Sequence, residues 1–396
     1  MVEAASSRED IHEQNKKRVL SLIYSHQPIS RVEISRQLGV NKSTITVLFN
    51  ELMADGLVEE LGVGESTSVG GRKPVLVSMK ADHGYFINFD LGYNHLHVMA
   101  TDFNGKVLFF HRLSNHGQNI HRLLAIMDNE LAQAAQDMRG GMDLLGIGFS
   151  IHGVVDGNKI TYSPFIDMEE VDLYDYFTNR YHVFVTLENE ANLAAIYERD
   201  FNGGRGKSNI LVVSVHKGIG SGIILNGQLY KGAGSKAGEI GRSILYTSED
   251  DEQVPGLKVE DFCSEDAVIE RICRVKQLSR LDREGVAKYY AQSDSDVVAI
   301  LTTFSRKIAE IVFNVAATLA PEEIYLNSPL MERIPDLYTQ VCQFAEQLSV
   351  QQPLKQTDNA QYATLLGCFS KILHVTLDME SYDIHLDKRE LPSTLG

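Results

Sequence analysis

Apolar residues recur at helical spacing three times in the first eighty positions. In NKKRVLSLIYSH, Val19, Leu20, Leu22 and Ile23 give a helix one apolar side. A second helix is predicted from SRVE, where Ser30 and Glu33 have the spacing of a capping box, each able to satisfy a free backbone N–H of the first turn. Ile34 and Leu38 face inward, and Gly39 permits the tight turn that follows. The third helix spans NKSTITVLFNELMADG, with Asn41 as N-cap and Ile45, Leu48 and Leu52 on its buried side. LVEELG, the polar stretch GESTSVGGRKP and PVLVSMK then read as strand, wing and returning strand.

Beyond residue 80 the pattern changes period and repeats itself. GYFINFDLGYNHLHVMATDFNGKVLFF, from Gly84, and NILVVSVHKGIGSGIILNGQLY, from Asn209, each read as strand, glycine-containing turn, strand, Asn-Gly hairpin and strand. Asn104-Gly105 and Asn226-Gly227 fall at matching places. HRLLAIMDNELAQAAQDM and SRKIAEIVFNVAATLA have the periodicity of helices packed on a sheet. A three-part chain is expected: residues 1–80 as a winged helix-turn-helix, 81–200 as a first α/β lobe and 201–396 as a second. A cleft between two lobes is the default place for a small ligand.

Charge sharpens this division. The chain of 396 residues has a net charge of −16, yet residues 1–80 hold 10 Lys/Arg and 10 Asp/Glu, leaving 27 against 43 in the remainder. An acidic body would repel a polyanion, so nucleic-acid binding is confined to the first segment. There, Asn41, Lys42, Ser43, Thr44 and Thr46 put short hydrogen-bonding groups and one cation at the N-terminal end of the third helix, the end that enters a major groove in helix-turn-helix proteins. Arg72 and Lys73 bring two cations to the wing, suited to phosphates or a minor groove. The competing reading is a winged helix used only for protein contacts.

The 4 cysteines, Cys263, Cys273, Cys342 and Cys368, lack C-x-x-C spacing, which argues against a disulfide framework or a thiolate metal site and for reduced thiols in a cytoplasmic protein. No stretch approaches the ~20 apolar residues that a membrane helix needs, and no export signal opens the chain.

The two meanders, the IHG turn at Ile151–Gly153, ENEAN at Glu188–Asn192 and AGEIG at Ala237–Gly241 together resemble the ROK family, which joins sugar kinases to transcriptional repressors. The GGRKP wing and the helices before it are similar to the DNA-binding half of its repressors. The resemblance spans nearly the whole chain and implies an α/β fold: an N-terminal winged helix-turn-helix followed by the duplicated actin-like/hexokinase two-lobe body.

An ATP-dependent sugar kinase needs a base for the sugar hydroxyl and small turns that admit phosphate. Measured against the family's enzymes, the D-x-G-x-T turn here has Asp90 and Gly92 followed by Tyr93 and Asn94. The G-T-G turn becomes His216, Lys217 and Gly218, and a terminal Gly-Gly pair becomes Asn327-Ser328. The base is an aspartate in those enzymes; Glu190 stands in its place, and a displacement of about 1 Å can cost about 100-fold in rate. Degraded phosphate turns argue against catalysis, so no catalytic residue is assigned. An active ATP-dependent sugar kinase with an added DNA-binding domain is the alternative.

The resemblance also implies a set of effector contacts: Gly153, Phe165 where the family has asparagine, Asn189, Glu190, Glu239, and Arg242 where the family has histidine. That histidine binds zinc in many members together with a C-x-C-G-x-x-G-C cluster, and here LKVEDFCSED keeps only Cys263. Since a guanidinium is always protonated, the structural zinc is expected to be absent, and no other cofactor is implied. Arg242 either pairs with a nearby carboxylate such as Glu239 or Glu190, or faces the cleft to bind an anionic group. The expected partners are operator DNA, a sugar or sugar derivative, and a second copy of the chain, because paired recognition helices read half-sites about one helical turn apart. The expected function is that of a sugar-responsive transcriptional repressor.

Overall fold

The three predicted helices form, and their apolar stripes meet. The computed structural model describes residues 8–63, 74–138, 141–201, 206–244 and 258–386, without the side chains of residues 8, 63 and 361. The N-terminal domain comprises α1 (Arg8–His26), β1 (Ile29–Ser30), α2 (Arg31–Leu38), α3 (Lys42–Ala54), β2 (Val58–Val63) and β3 (Val75–Met79). Its core gathers Val19, Ile23, Ile34, Ile45, Leu48, Phe49 and Leu52, all buried. Gly39 adopts φ 66° after α2, the left-handed conformation that favours glycine. β2 and β3 pair antiparallel, so the strand and the returning strand are present, while the stretch between them, with Arg72 and Lys73, lies outside the described residues.

Two caps differ from expectation. Ser30 Oγ accepts from Glu33 N at 3.1 Å, but the Glu33 carboxylate is drawn to Arg36 and Gln37, so only half of the capping box forms. Asn41 occupies the N-cap of α3 without a side-chain bond, leaving its amide exposed beside Lys42 and Ser43. The sheet also gains β1, in the order β1-β3-β2; a two-residue strand is too short to leave a period-two signal.

The repeat is realised as two sheets of the same topology. The first is built from β4 (Gly84–Leu91), β5 (Leu96–Asp102), β6 (Val107–Leu113), β7 (Asp143–Ile151) and β10 (Phe184–Asn189), in the order β6-β5-β4-β7-β10. Between these strands come α4 (Ile120–Asp137), the small hairpin β8 (Val154–Asp156) and β9 (Lys159–Tyr162), and α5 (Leu173–Tyr181). After α6 (Glu190–Asp200), the second sheet uses β11 (Ile210–Val215), β12 (Ile219–Leu225), β13 (Gln228–Leu229), β14 (Glu323–Asn327) and β15 (Leu354–Gln356), in the order β13-β12-β11-β14-β15. The helices α7 (Glu260–Cys263), α8 (Glu265–Lys276), α9 (Arg283–Ala291) and α10 (Ser295–Leu319) precede β14, α11 (Pro329–Arg333) and α12 (Pro335–Gln347) follow it, and α13 (Ala360–Thr376) ends the series.

Both Asn-Gly pairs lie between the second and third strands of their meanders, but the turns differ. Asn226 and Gly227 have φ 52° and 77°, as a two-residue hairpin turn requires. The first copy has a longer loop, in which Asp102 Oδ1 accepts from the backbone N–H of Asn104 and Lys106, both at 2.9 Å. Phe103 at its start is fully buried, with Tyr24, His83 and Phe86 around its ring, and its carbonyl accepts from Tyr24 Oη at 3.2 Å.

The chain divides into compact units at different places from the linear division at residue 200. One unit holds residues 1–149, 166–187 and 369–396, the other 150–165 and 188–368. In the first, the segment after α13 meets α1 of the N-terminal domain: Lys17 pairs with Asp378, and the His385 backbone N–H donates to Ser25 Oγ at 3.1 Å. In the second, alternation along β11 sends Leu211, Val213 and Val215 to a core shared with α8, α10 and α12. Ile210 and Val212 pack instead with Ala194 and Ala195 of α6. A Cβ at Gly222 would lie 2.1 Å from the Ala191 carbonyl, so only glycine lets β12 approach α6 so closely.

Candidate functional site

Asn189 ends β10 and caps α6, and this junction places the chemistry. Its Oδ1 accepts from Ala191 N at 2.9 Å and Asn192 N at 3.2 Å, while its Nδ2 donates to the Gly153 carbonyl at 2.7 Å. Most of its hydrogen-bonding capacity is therefore structural, fixing the start of α6 relative to the turn at Gly153. Gly153 must be small, since a Cβ there would meet the Tyr162 carbonyl at 2.2 Å.

The next residue, Glu190, is buried at the floor of a cavity of about 410 Å³. Ser214 Oγ lies 2.9 Å from both of its oxygens; Asn327 Nδ2 donates to Oε1 at 3.1 Å and Thr364 Oγ1 at 3.2 Å. His216 Nε2 is 3.3 Å from Oε1. Burial pushes the Glu190 carboxyl upward, but His216, its hydrogen bond, His152 and Ser214 together outweigh burial and hold it below the usual carboxylate range. Ser328, beside Asn327, donates to Oε1 of the buried Glu265 at 2.7 Å. Three of the residues standing where the family's enzymes keep phosphate-admitting turns, His216, Asn327 and Ser328, thus lie within hydrogen-bonding reach of buried carboxylates.

All six residues expected to contact an effector, Gly153, Phe165, Asn189, Glu190, Glu239 and Arg242, line this one cavity, and every lining residue belongs to the second unit. Phe165 presents its ring 4.9 Å from Lys217 Nζ. Glu239 is half-buried, and its carboxyl is raised by burial, lowered by Arg242 and raised by Glu260, with a net upward shift. Arg242 Nη1 stands 3.9 Å from Glu239 Oε2, and the guanidinium is 6.0 Å from the Tyr162 ring with half its side chain exposed. The carboxylate-pairing reading is realised loosely and with Glu239. Sequence reasoning missed Ser214, Tyr162 and Thr364, which carry no motif and reach the site only through the fold.

The two positions that stand where the resemblance places zinc ligands do not suit the metal. Arg242 offers no lone pair, and Cys263 is buried in the core with its thiol pushed up to about 11 by burial. In the first unit, Asp90 accepts from His95 Nε2 at 3.1 Å, and Asn115 Nδ2 donates to the Gly92 carbonyl at 2.6 Å, so the turn after β4 is held by side chains. Tyr93 projects outward.

On the N-terminal domain, Lys42, Ser43 and Thr46 are exposed on α3, Thr44 is half-buried, and Ile45, Leu48, Phe49 and Leu52 face the core. The outer face of α3 is thus free of core duties.

A winged helix-turn-helix joined to a duplicated α/β body with a polar cavity in its second unit defines a class of ligand-binding, DNA-binding protein. A model of the ROK family matches residues 86–370, and one described as winged helix-turn-helix DNA-binding matches residues 13–59. The xylose repressor of Lactiplantibacillus pentosus is 39% identical over 385 residues, covering 97% of this chain and 98% of that protein. The xylose repressor of Staphylococcus xylosus is 33% identical, covering 94% and 98%. Among solved structures, a ROK family transcriptional regulator described as a homolog of the E. coli MLC protein aligns with TM-score 0.77 at 20% identity, covering 93% of this chain and 98% of that one. A ROK family glucokinase from Streptomyces griseus aligns with TM-score 0.63 at 18% identity, covering 73% and 99%. The chain belongs to the ROK family. No described helix is long and apolar enough to cross a membrane.

Proposed function

We propose that this protein is a transcriptional repressor that binds operator DNA through its winged helix and a neutral sugar in the second-unit cavity, and that it does not phosphorylate that sugar. The relatives named xylose repressor make D-xylose the first effector to try. The observation that carries the reading is the state of Glu190. A general base must be free to take a hydroxyl proton, whereas this carboxylate is surrounded by Ser214, Asn327, Thr364 and His216 and made less basic by His216, His152 and Ser214. It is suited to accept a hydrogen bond from a sugar hydroxyl and to leave the proton where it is.

The charge of the cavity favours a neutral ligand over a phosphorylated one. Its lining has six carboxylates, Glu190, Glu239, Glu260, Asp261, Asp266 and Glu270, against three cations, Lys217, Arg242 and Lys258. Sugar binding regulates DNA binding only if the ligand prefers one arrangement of the protein, since equal affinity for two states shifts neither. The protein acts as a homodimer in the cytoplasm, without a structural zinc, its two recognition helices set one helical turn of DNA apart.

A labelled operator duplex titrated with the protein, with and without D-xylose, tests the regulator; a coupled ADP-release assay over pentoses and hexoses tests catalysis. Sugar-dependent change in operator affinity and no ADP release are expected. Turnover that disappears in Glu190→Gln would establish the kinase reading instead.

A further inference from the structure

The outward face of α3 has a composition that helix stability does not call for. Ser43, Thr46, Val47 and Asn50 lie at spacings of three, four and seven, all exposed, opposite the buried Ile45, Leu48, Phe49 and Leu52. Val47 has 52% of its surface exposed. A β-branched residue in an exposed helical position loses side-chain freedom without gaining burial, so local propensity would favour alanine, lysine or glutamate there. Thr46 is spent differently: its hydroxyl donates to the Lys42 carbonyl at 2.8 Å, within the helix, which leaves its methyl as the group it offers outward. Two adjacent residues near the N-terminal end of the recognition helix therefore present aliphatic surface flanked by the hydroxyl of Ser43 and the amide of Asn50.

The carboxylates nearest this face are held away from it. Glu51 accepts from His12 at 2.8 Å and Asp55 from Lys16 Nζ at 2.6 Å. No acid on the stripe itself would oppose a phosphate-lined groove.

Thymine alone among the bases projects a methyl group into the major groove, and short aliphatic side chains are its complement. We propose that Thr46 and Val47 form an apolar reader of thymine 5-methyl groups, specifying thymine at one or two positions in each operator half-site. Ser43 and Asn50 take the hydrogen-bonding base edges on either side. This rests on the DNA-binding role above and names the base that role selects.

The test removes methyl groups from each side of the interface: one from the base or from Thr46, and two from Val47. The full-length protein selects duplexes from a randomised pool, and the best duplex is resynthesised with deoxyuridine for thymine at each position in turn. Fluorescence anisotropy at fixed salt then compares the wild type with Val47→Ala and Thr46→Ser, whose folding is checked by circular dichroism. Deoxyuridine at the contacted positions should weaken wild-type binding about fourfold, the worth of one buried methyl. Val47→Ala or Thr46→Ser should weaken binding to the thymine duplex by a similar factor and remove the penalty at its own position. Deoxyuridine that is neutral at every position, or equally costly in wild type and both variants, overturns the inference while leaving DNA binding intact. Failure to select any duplex would overturn the DNA-binding role as well, and an exposed Val47 would then mark a protein contact.

Discussion

Asn327 Nδ2 lies 3.1 Å from Glu190 Oε1, although the two residues are 137 positions apart in the chain. The same amide is 3.0 Å from Ser214 Oγ, so it joins β14, β11 and the first residue of α6 in one buried network. Replacing Asn327 by alanine would leave a buried carboxylate short of a donor. A loss of about 1–3 kcal/mol is expected from denaturant unfolding, with sugar affinity reduced because the Glu190 oxygens lose their fixed orientation.

Glu190 also sets an acid-side dependence. Its folded-state value is depressed, so the stability it contributes is present above the ordinary carboxylate value and is lost as pH falls through the depressed one. Thermal unfolding followed from pH 7 downward should show this loss in the wild type. In Glu190→Gln the neutral-pH stability should be lower and this part of the acid slope missing; identical slopes would contradict the assignment.

Glu239 carries the opposite sign. Burial makes its carboxyl easier to protonate in the folded state than in the unfolded chain, so stability falls as pH rises from the unfolded value through the raised one. Glu239→Gln removes that cost. The variant should melt at pH 7 no lower than the wild type, yet bind sugar more weakly by isothermal titration, a separation of stability from affinity that a purely structural residue would not give.

The wing predicts a salt effect. Arg72→Ala with Lys73→Ala should weaken operator binding uniformly across sequences and reduce the slope of log affinity against log salt by about 2, one for each phosphate no longer neutralised, with sugar affinity unchanged. An unaltered slope would remove both cations from the DNA interface.

Much of this was legible in the residues themselves. The duplication announced itself through Asn104-Gly105 and Asn226-Gly227, because hairpins impose local chemistry on the chain. Gly153, Phe165, Asn189, Glu190, Glu239 and Arg242 were nameable as a set because family motifs mark them, and the fold brings all six to one cavity. The role of Asn189 was not legible: whether an asparagine meets ligand or caps a helix depends on where the helix starts, and its oxygen is used by Ala191 and Asn192. Nor could sequence show that His216 and Asn327 both turn toward Glu190, since long-range polar pairing leaves no periodicity. The Glu33 carboxylate likewise had two local choices, the cap or Arg36, and the charge-assisted bond won. The division of the chain into units was hidden because residues 150–165 and 369–396 join partners distant in sequence.

The unequal hairpins of the two sheets have a further consequence. In the second copy, Leu225 and Gln228 are joined by Asn226-Gly227 alone, a minimal turn. In the first, the corresponding loop is longer by two residues, and its Phe103 is the one that receives Tyr24 of the N-terminal domain. Tyr24 lies against the Phe103 ring and donates to its carbonyl, so the longer loop couples α1 to the first sheet, a coupling for which the minimal turn of the second copy has no residue to spare.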